Sequence, residues 1–209
     1  MVKSYANKMT TYLVDNKKIE NNDYELFSYA FEVLISTIGN IIIILIIGAL
    51  FNRFTETLLF LVFYCPIRQF AGGFHAENYT RCLLVFLSIY IVNILVIDKL
   101  ISLELTTPIV VMAFISYIVI PFLVPQEHRN NPLSIEEKKK YKKIVKYLST
   151  ILLVISFIGI NLSITYEYGM YLSSVIVWIF IMLILGIIKG GVSRVYGKES
   201  KTNFNRESM

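Results

Sequence analysis

The chain has 209 residues, of which 56% are hydrophobic and only 17% are charged, and its formal net charge is +5. The apolar residues stand in long blocks, so this composition excludes a soluble globular domain and predicts an all-α, polytopic membrane protein. The positive net charge does not indicate nucleic-acid binding, because the sequence contains no soluble domain with a basic patch interleaved with aromatic residues. In a membrane chain, basic residues mostly report orientation.

The first element is an amphipathic helix, predicted over residues 2–19 and lying at the membrane surface as an interfacial helix. A soluble capping helix is the alternative. Apolar residues recur there at helical spacing: Val2, Tyr5, Ala6, Met9, Tyr12 and Leu13.

Six apolar segments follow in chain order. They predict a single integral membrane domain over residues 1–209 with about six transmembrane segments, or with four full spans plus two half-dipping segments. The segments cover residues 29–50, 54–66, 83–97, 109–124, 147–165 and 170–188.

The basic residues predict the orientation of these segments. Of the 20 Lys and Arg residues, all but Arg53 and Lys99 lie between alternate pairs of segments or at the two ends of the chain. The positive-inside rule therefore predicts a multi-pass protein of the cell membrane with four cytoplasmic regions. These are the N-terminal helix at 1–28, a loop at 66–82, a basic loop at 125–146 and a tail at 189–209.

The basic loop at 125–146 has a turn-rich start and then a charged helix that feeds the fifth segment. The letters SIEE at 134–137 match a capping box, which predicts a helix start there. The lysines determine topology, or they bind anionic lipid or an acidic peptide. We expect His128 to be solvated.

The stretch RQFAGGFHAENYTRC, residues 68–82, combines rare reactive side chains between two apolar segments. An imidazole can take the proton of a thiol, and a helix N-terminus can stabilise the thiolate, so His75 and Cys82 form a candidate catalytic dyad. Cys82 stands where the third segment begins, with Asn78 or Thr80 as the N-cap.

The spacing of the dyad sets a geometric condition. In one straight helix, residues seven apart are about 10.5 Å apart along the axis, whereas a hydrogen bond needs about 3 Å. A dyad therefore requires a break in the helix, and Gly72 and Gly73 permit one. For each residue alone, simpler interpretations exist: Cys82 as a small apolar residue and His75 as a solvated group.

Other polar residues of the membrane segments have competing interpretations. Spacing alone favours an Arg68 that snorkels to the lipid headgroups, with binding of a substrate carboxylate or an oxyanion as the alternative. Glu32 is an ionisable residue within the first segment and therefore a functional candidate. We expect Cys65 to be a packing residue, and both cysteines to be free thiols.

The motif at 68–82 resembles the signature of the accessory gene regulator protein B (AgrB) family, membrane cysteine endopeptidases of Gram-positive quorum sensing that regulate virulence. The family pattern has an Arg, a Gly-Gly-aromatic-His run and a Cys seven residues after the His. Chain length, the amphipathic N-terminus, several spans and a Lys-rich loop extend the resemblance over most of the chain.

The resemblance implies an AgrD-like precursor peptide as substrate, cleaved by Cys82 with His75 as base and then acid, and cyclised through an acyl-enzyme thioester to a thiolactone or lactone. It places Arg68 and Gly73 on motif positions, with Gly72 beside them, and it relates Glu32 loosely to a polar family position. Asn78 and Glu77 are the candidates for orienting the imidazole. It also implies a homodimer, whereas the residues themselves predict no cofactor.

The rival function is a small transporter or channel in which the Gly-rich loop is re-entrant. It would need a second broken segment, and the second half of the chain contains no counterpart to AGGFH. The sequence predicts no metal site, because two distant histidines and two thiols in different segments do not form a recognisable ligand set.

Overall fold

A computed structural model describes the backbone of residues 2–73, 79–126 and 133–207, and the side chains of 2–73, 81, 83–126 and 133–189. The described residues form seven α-helices and no strand, which confirms the predicted all-α class. A 3-10 turn, Asn21–Asp23, precedes the second helix. The helices are Val2–Asp15 (α1), Tyr24–Leu50 (α2), Phe54–Ala71 (α3), Tyr79–Ser102 (α4), Thr107–Leu123 (α5), Ile135–Asn161 (α6) and Tyr166–Glu207 (α7).

The chain divides into two compact units, Met1–Thr57 and Leu58–Met209. In the first unit, α1 packs along α2, and Ser28 Oγ donates a hydrogen bond to Asn7 Oδ1 at 2.7 Å. The small side chains of Ala6 and Thr10 are buried, while bulky members of the predicted apolar face stay exposed: Tyr5, Met9 and Tyr12.

Helix α1 ends at Asp15, four residues before the predicted end. Lys17 adopts a left-handed conformation with φ of 55°, and its backbone N–H donates to the Val14 carbonyl at 2.8 Å. The N–H of Lys18 donates to the Leu13 carbonyl at 2.9 Å. This pair of hydrogen bonds is the Schellman motif, which satisfies the last carbonyls and stops the helix without a glycine.

In the second unit, two ring contacts join α3 to α4, and their order along the chain shows that the helices run in antiparallel directions. The rings of Phe60 and Tyr90 meet edge to face with centroids 5.3 Å apart. The rings of Tyr64 and Phe86 stack at 5.2 Å. The later residue of α3, Tyr64, thus pairs with the earlier residue of α4, Phe86. The chain therefore reverses its direction between the two helices.

Helix α7 forms the centre of the second unit. Its residues 169–177 are buried without interruption, because α4, α5 and α6 all pack against it. Two hydrogen bonds join α4 to α7: the Tyr171 hydroxyl donates to Asp98 at 2.9 Å, and the Trp178 ring N–H donates to Asn93 at 2.8 Å. The apolar middle of α7 is therefore covered by the neighbouring helices.

Four of the described helices are long and apolar enough to cross a membrane. They cover Asn21–Leu50, Leu83–Ser102, Ile135–Asn161 and Tyr166–Lys189, which correspond to the first, third, fifth and sixth predicted segments. The second and fourth segments form the shorter helices α3 and α5. The chain is a polytopic membrane protein, and both six crossings and four full spans plus two half-dipping segments stay predictions.

Candidate functional site

Helix α3 continues through Pro66 and ends at Ala71, so the segment that was predicted as a loop from residue 66 begins as helix. The ring of Phe70 meets the ring of Tyr141 edge to face, with centroids 5.4 Å apart. Since Ile67 and Ala71 are fully buried, the last turn of α3 is fixed on several sides. Arg68 lies in that turn.

The two glycines follow directly, and both have backbone conformations that L-residues rarely adopt. Gly72 has φ of 73° and Gly73 has φ of 112°. A Cβ on Gly72 would overlap the backbone carbonyl of Gln126, and a Cβ on Gly73 would lie 3.0 Å from the Met182 carbonyl. Both the backbone angles and the lack of space therefore require glycine here.

Arg68 folds back over the turn that follows it. A Cβ on Gly73 would lie 2.8 Å from Nη1 of Arg68, and this nitrogen is buried. Nη1 of Arg68 thus faces Gly73, whereas the side chain as a whole is half-buried, and snorkelling to the headgroups stays a prediction. Arg68 packs on the glycine pair in the second unit.

The structure adds Gln126, which the sequence did not predict. Its backbone N–H donates to the Ala71 carbonyl at 2.9 Å, and its side-chain Nε2 donates to the Leu183 carbonyl at 2.8 Å. Gln126 thus joins the end of α3 to α7. Its position in a turn-rich segment of mixed polar residues gave no signal of this role.

Helix α4 begins at Tyr79, which makes Cys82 the fourth residue of that helix by backbone position. His75 and Asn78 lie outside the described residues, as does the side chain of Cys82, and so does His128. The predicted dyad therefore lies outside the described residues and stays a prediction.

The remaining predicted residues lie elsewhere. Glu32 is half-buried on α2 of the first unit, and Cys65 is a half-buried free thiol within α3. The predicted helix start in the basic loop is confirmed, because Ser134 and Glu137 form a full capping box at the start of α6. Among the described residues, no group of three or more His, Cys, Asp or Glu could hold a metal ion.

The assembled cluster thus consists of Arg68, Gly72, Gly73 and Gln126 against the Met182–Leu183 carbonyls of α7.

A family model described as Accessory gene regulator B matches residues 6–188 of the chain. The chain belongs to the accessory gene regulator B family. Membership gives it a role in the accessory gene regulator system of quorum sensing.

Proteins similar to this chain carry names from the same family. A putative AgrB-like protein of Clostridium perfringens (strain SM101 / Type A) is 29% identical over 193 residues, covering 90% of this chain and 88% of that protein. A putative AgrB-like protein 2 of Clostridium perfringens (strain 13 / Type A) is 32% identical, covering 68% and 70%. The accessory gene regulator protein B of Staphylococcus carnosus (strain TM300) is 26% identical, covering 60% and 65%. No solved structure matches the chain.

Proposed function

We propose that this AgrB family member is a membrane-embedded cysteine endopeptidase. Its substrate is an AgrD-like precursor peptide, from which it removes the acidic C-terminal tail. The remaining acyl group is transferred to a Cys or Ser side chain of the peptide itself, which closes a thiolactone or lactone ring.

His75 and Cys82 carry the chemistry. His75 takes the thiol proton, and the Cys82 thiolate attacks the carbonyl carbon of the peptide bond before the tail. The C–N bond breaks, the imidazolium gives its proton to the departing amine, and a thioester remains on Cys82. The peptide's own thiol or hydroxyl then attacks this thioester, His75 takes its proton, and the Cys82 sulfur leaves and is reprotonated.

The observation that carries the proposal is the antiparallel packing of α3 and α4. The Phe60–Tyr90 and Tyr64–Phe86 ring contacts require a chain reversal between the two helices. One continuous helix would hold residues 75 and 82 about 10.5 Å apart along its axis. The reversal removes that obstacle to contact between the imidazole and the thiol.

Two further features support the same chemistry. Cys82 belongs to the first turn of α4, where the positive end of the helix dipole favours a thiolate. The Phe70–Tyr141 contact brings the end of α3 beside the basic start of α6, where most lysines are exposed. These lysines would attract an acidic tail toward the site, as they would anionic lipid.

Coexpression with an AgrD-like precursor peptide tests the proposal. Mass spectrometry should detect tail release with the wild-type chain and none with Cys82→Ala or His75→Ala. Cys65→Ala is the matched control, because it removes the other thiol, and it should process normally. Tail release that survives Cys82→Ala would exclude the mechanism.

The orientation and the oligomeric state stay predictions. Cytoplasmic termini and a cytoplasmic site would place Cys82 where a newly made leader peptide lies on the inner leaflet. Labelling of single cysteines introduced at the two ends, from each side of sealed vesicles, tests the orientation. Cross-linking in intact membranes tests the homodimer that the family resemblance implies.

A further inference from the structure

Gln126 makes contacts with both structures that surround the glycine pair. The carbonyl of Ala71 belongs to the last turn of α3, where helix carbonyls have no partner within the helix. The backbone N–H of Gln126 supplies one at 2.9 Å. The side-chain amide extends in another direction and donates to the Leu183 carbonyl of α7 at 2.8 Å.

The backbone of Gln126 also limits the path of the chain after α3. Its carbonyl lies so close to Gly72 that no Cβ fits between them, and the Met182 carbonyl lies near Gly73. The glycine pair is therefore held between Gln126 and α7. The contacts of Gln126 therefore constrain the backbone at the point where the chain leaves α3.

We propose that Gln126 is a positioning residue for the reaction. Its two hydrogen bonds fix the exit of α3, and Gly72 and Gly73 then direct the connection that carries His75 toward Cys82. This inference rests on the proposed function, because it assigns Gln126 to the geometry of that same dyad.

Two substitutions separate the side-chain hydrogen bond from side-chain volume. Gln126→Met keeps a similar volume and removes the donor to Leu183. Gln126→Glu also keeps the volume, but its carboxylate accepts only and faces a carbonyl oxygen. The matched control is Gln69→Met, since Gln69 is the other glutamine of the chain and is exposed on α3.

The first measurement is tail release by the full-length chain in membrane vesicles. Gln126→Met should lower kcat roughly 2- to 12-fold, the range set by the net contribution of one neutral hydrogen bond, with a smaller change in KM. Gln126→Glu should lose more at neutral pH. Its kcat relative to Gln126→Met should rise at acid pH, because a protonated carboxyl can donate to Leu183. Gln69→Met should match the wild type.

The second measurement needs no substrate. In a Cys65→Ala background, alkylation of Cys82 by iodoacetamide reports the fraction of thiolate at each pH. With the dyad formed, the wild-type midpoint lies below the free-thiol value of about 8.5, and His75→Ala and Gln126→Met both raise it. Hydrogen exchange at Gly72 and Gly73 should accelerate in Gln126→Met and stay unchanged in Gln69→Met.

The outcomes distinguish the two proposals. A wild-type kcat and alkylation midpoint in Gln126→Met, with unchanged exchange at the glycines, would overturn the role of Gln126 and leave the peptidase intact. A wild-type midpoint that His75→Ala does not move would overturn the dyad. In that case faster exchange in Gln126→Met would still show that this residue positions the glycine pair.

Discussion

Replacing Gly72 by alanine is the sharpest perturbation that the described site permits. The φ of 73° lies in the left-handed region, which costs an L-residue about 1–2 kcal/mol. The added Cβ also overlaps the backbone carbonyl of Gln126, and a backbone carbonyl cannot rotate away. Overpacking of this kind costs about 1–3 kcal/mol.

The two costs together amount to at least about 2 kcal/mol, which corresponds to a roughly 30-fold loss in occupancy of the observed turn. We therefore expect Gly72→Ala to lower the rate of tail release by at least that factor. The hydrogen bond from Gln126 to Ala71 should also weaken, which hydrogen exchange at Gln126 would report.

The matched control is Gly39→Ala in α2. No heavy atom lies within 4 Å of a Cβ at Gly39, and alanine favours a helix interior by roughly 0.5–1 kcal/mol. Processing by Gly39→Ala should equal that of the wild type. Wild-type processing and exchange in Gly72→Ala would refute the claim that the turn at this position determines activity.

Two further predictions concern packing away from the site and use thermal unfolding in detergent. Gly48→Ala should lower the unfolding midpoint, because the added Cβ would overlap the Thr57 side chain. Overpacking of this kind costs about 1–3 kcal/mol. The control, Gly39→Ala, should not lower the midpoint, because a Cβ there has no heavy atom within 4 Å. Tyr171→Phe removes the hydroxyl that donates to Asp98 and should destabilise the α4–α7 contact by about 0.6 kcal/mol, the average for such bonds between membrane helices. An unchanged midpoint in Gly48→Ala, or a more stable Tyr171→Phe, would contradict the packing described.

Local chemistry determined the helices and some of their ends. Long apolar blocks predicted the six membrane segments, since each block must bury or shield its own backbone polar groups. The capping box at Ser134 was visible in four letters, because its partners are three residues apart. The glycine pair likewise marked the turn, because glycine alone adopts such angles at little cost.

Other features were decided only by contacts between residues distant in the sequence. Pro66 does not end α3, because the following turn is held by burial of Ile67 and Ala71. The approach of the Arg68 guanidinium to Gly73 is a contact that spacing alone did not reveal. Gln126 donates hydrogen bonds to the Ala71 carbonyl of α3 and to the Leu183 carbonyl of α7, and Leu183 is 57 residues away in the sequence. A local pattern reports neighbours along the chain, and these partners become neighbours only when the helices pack.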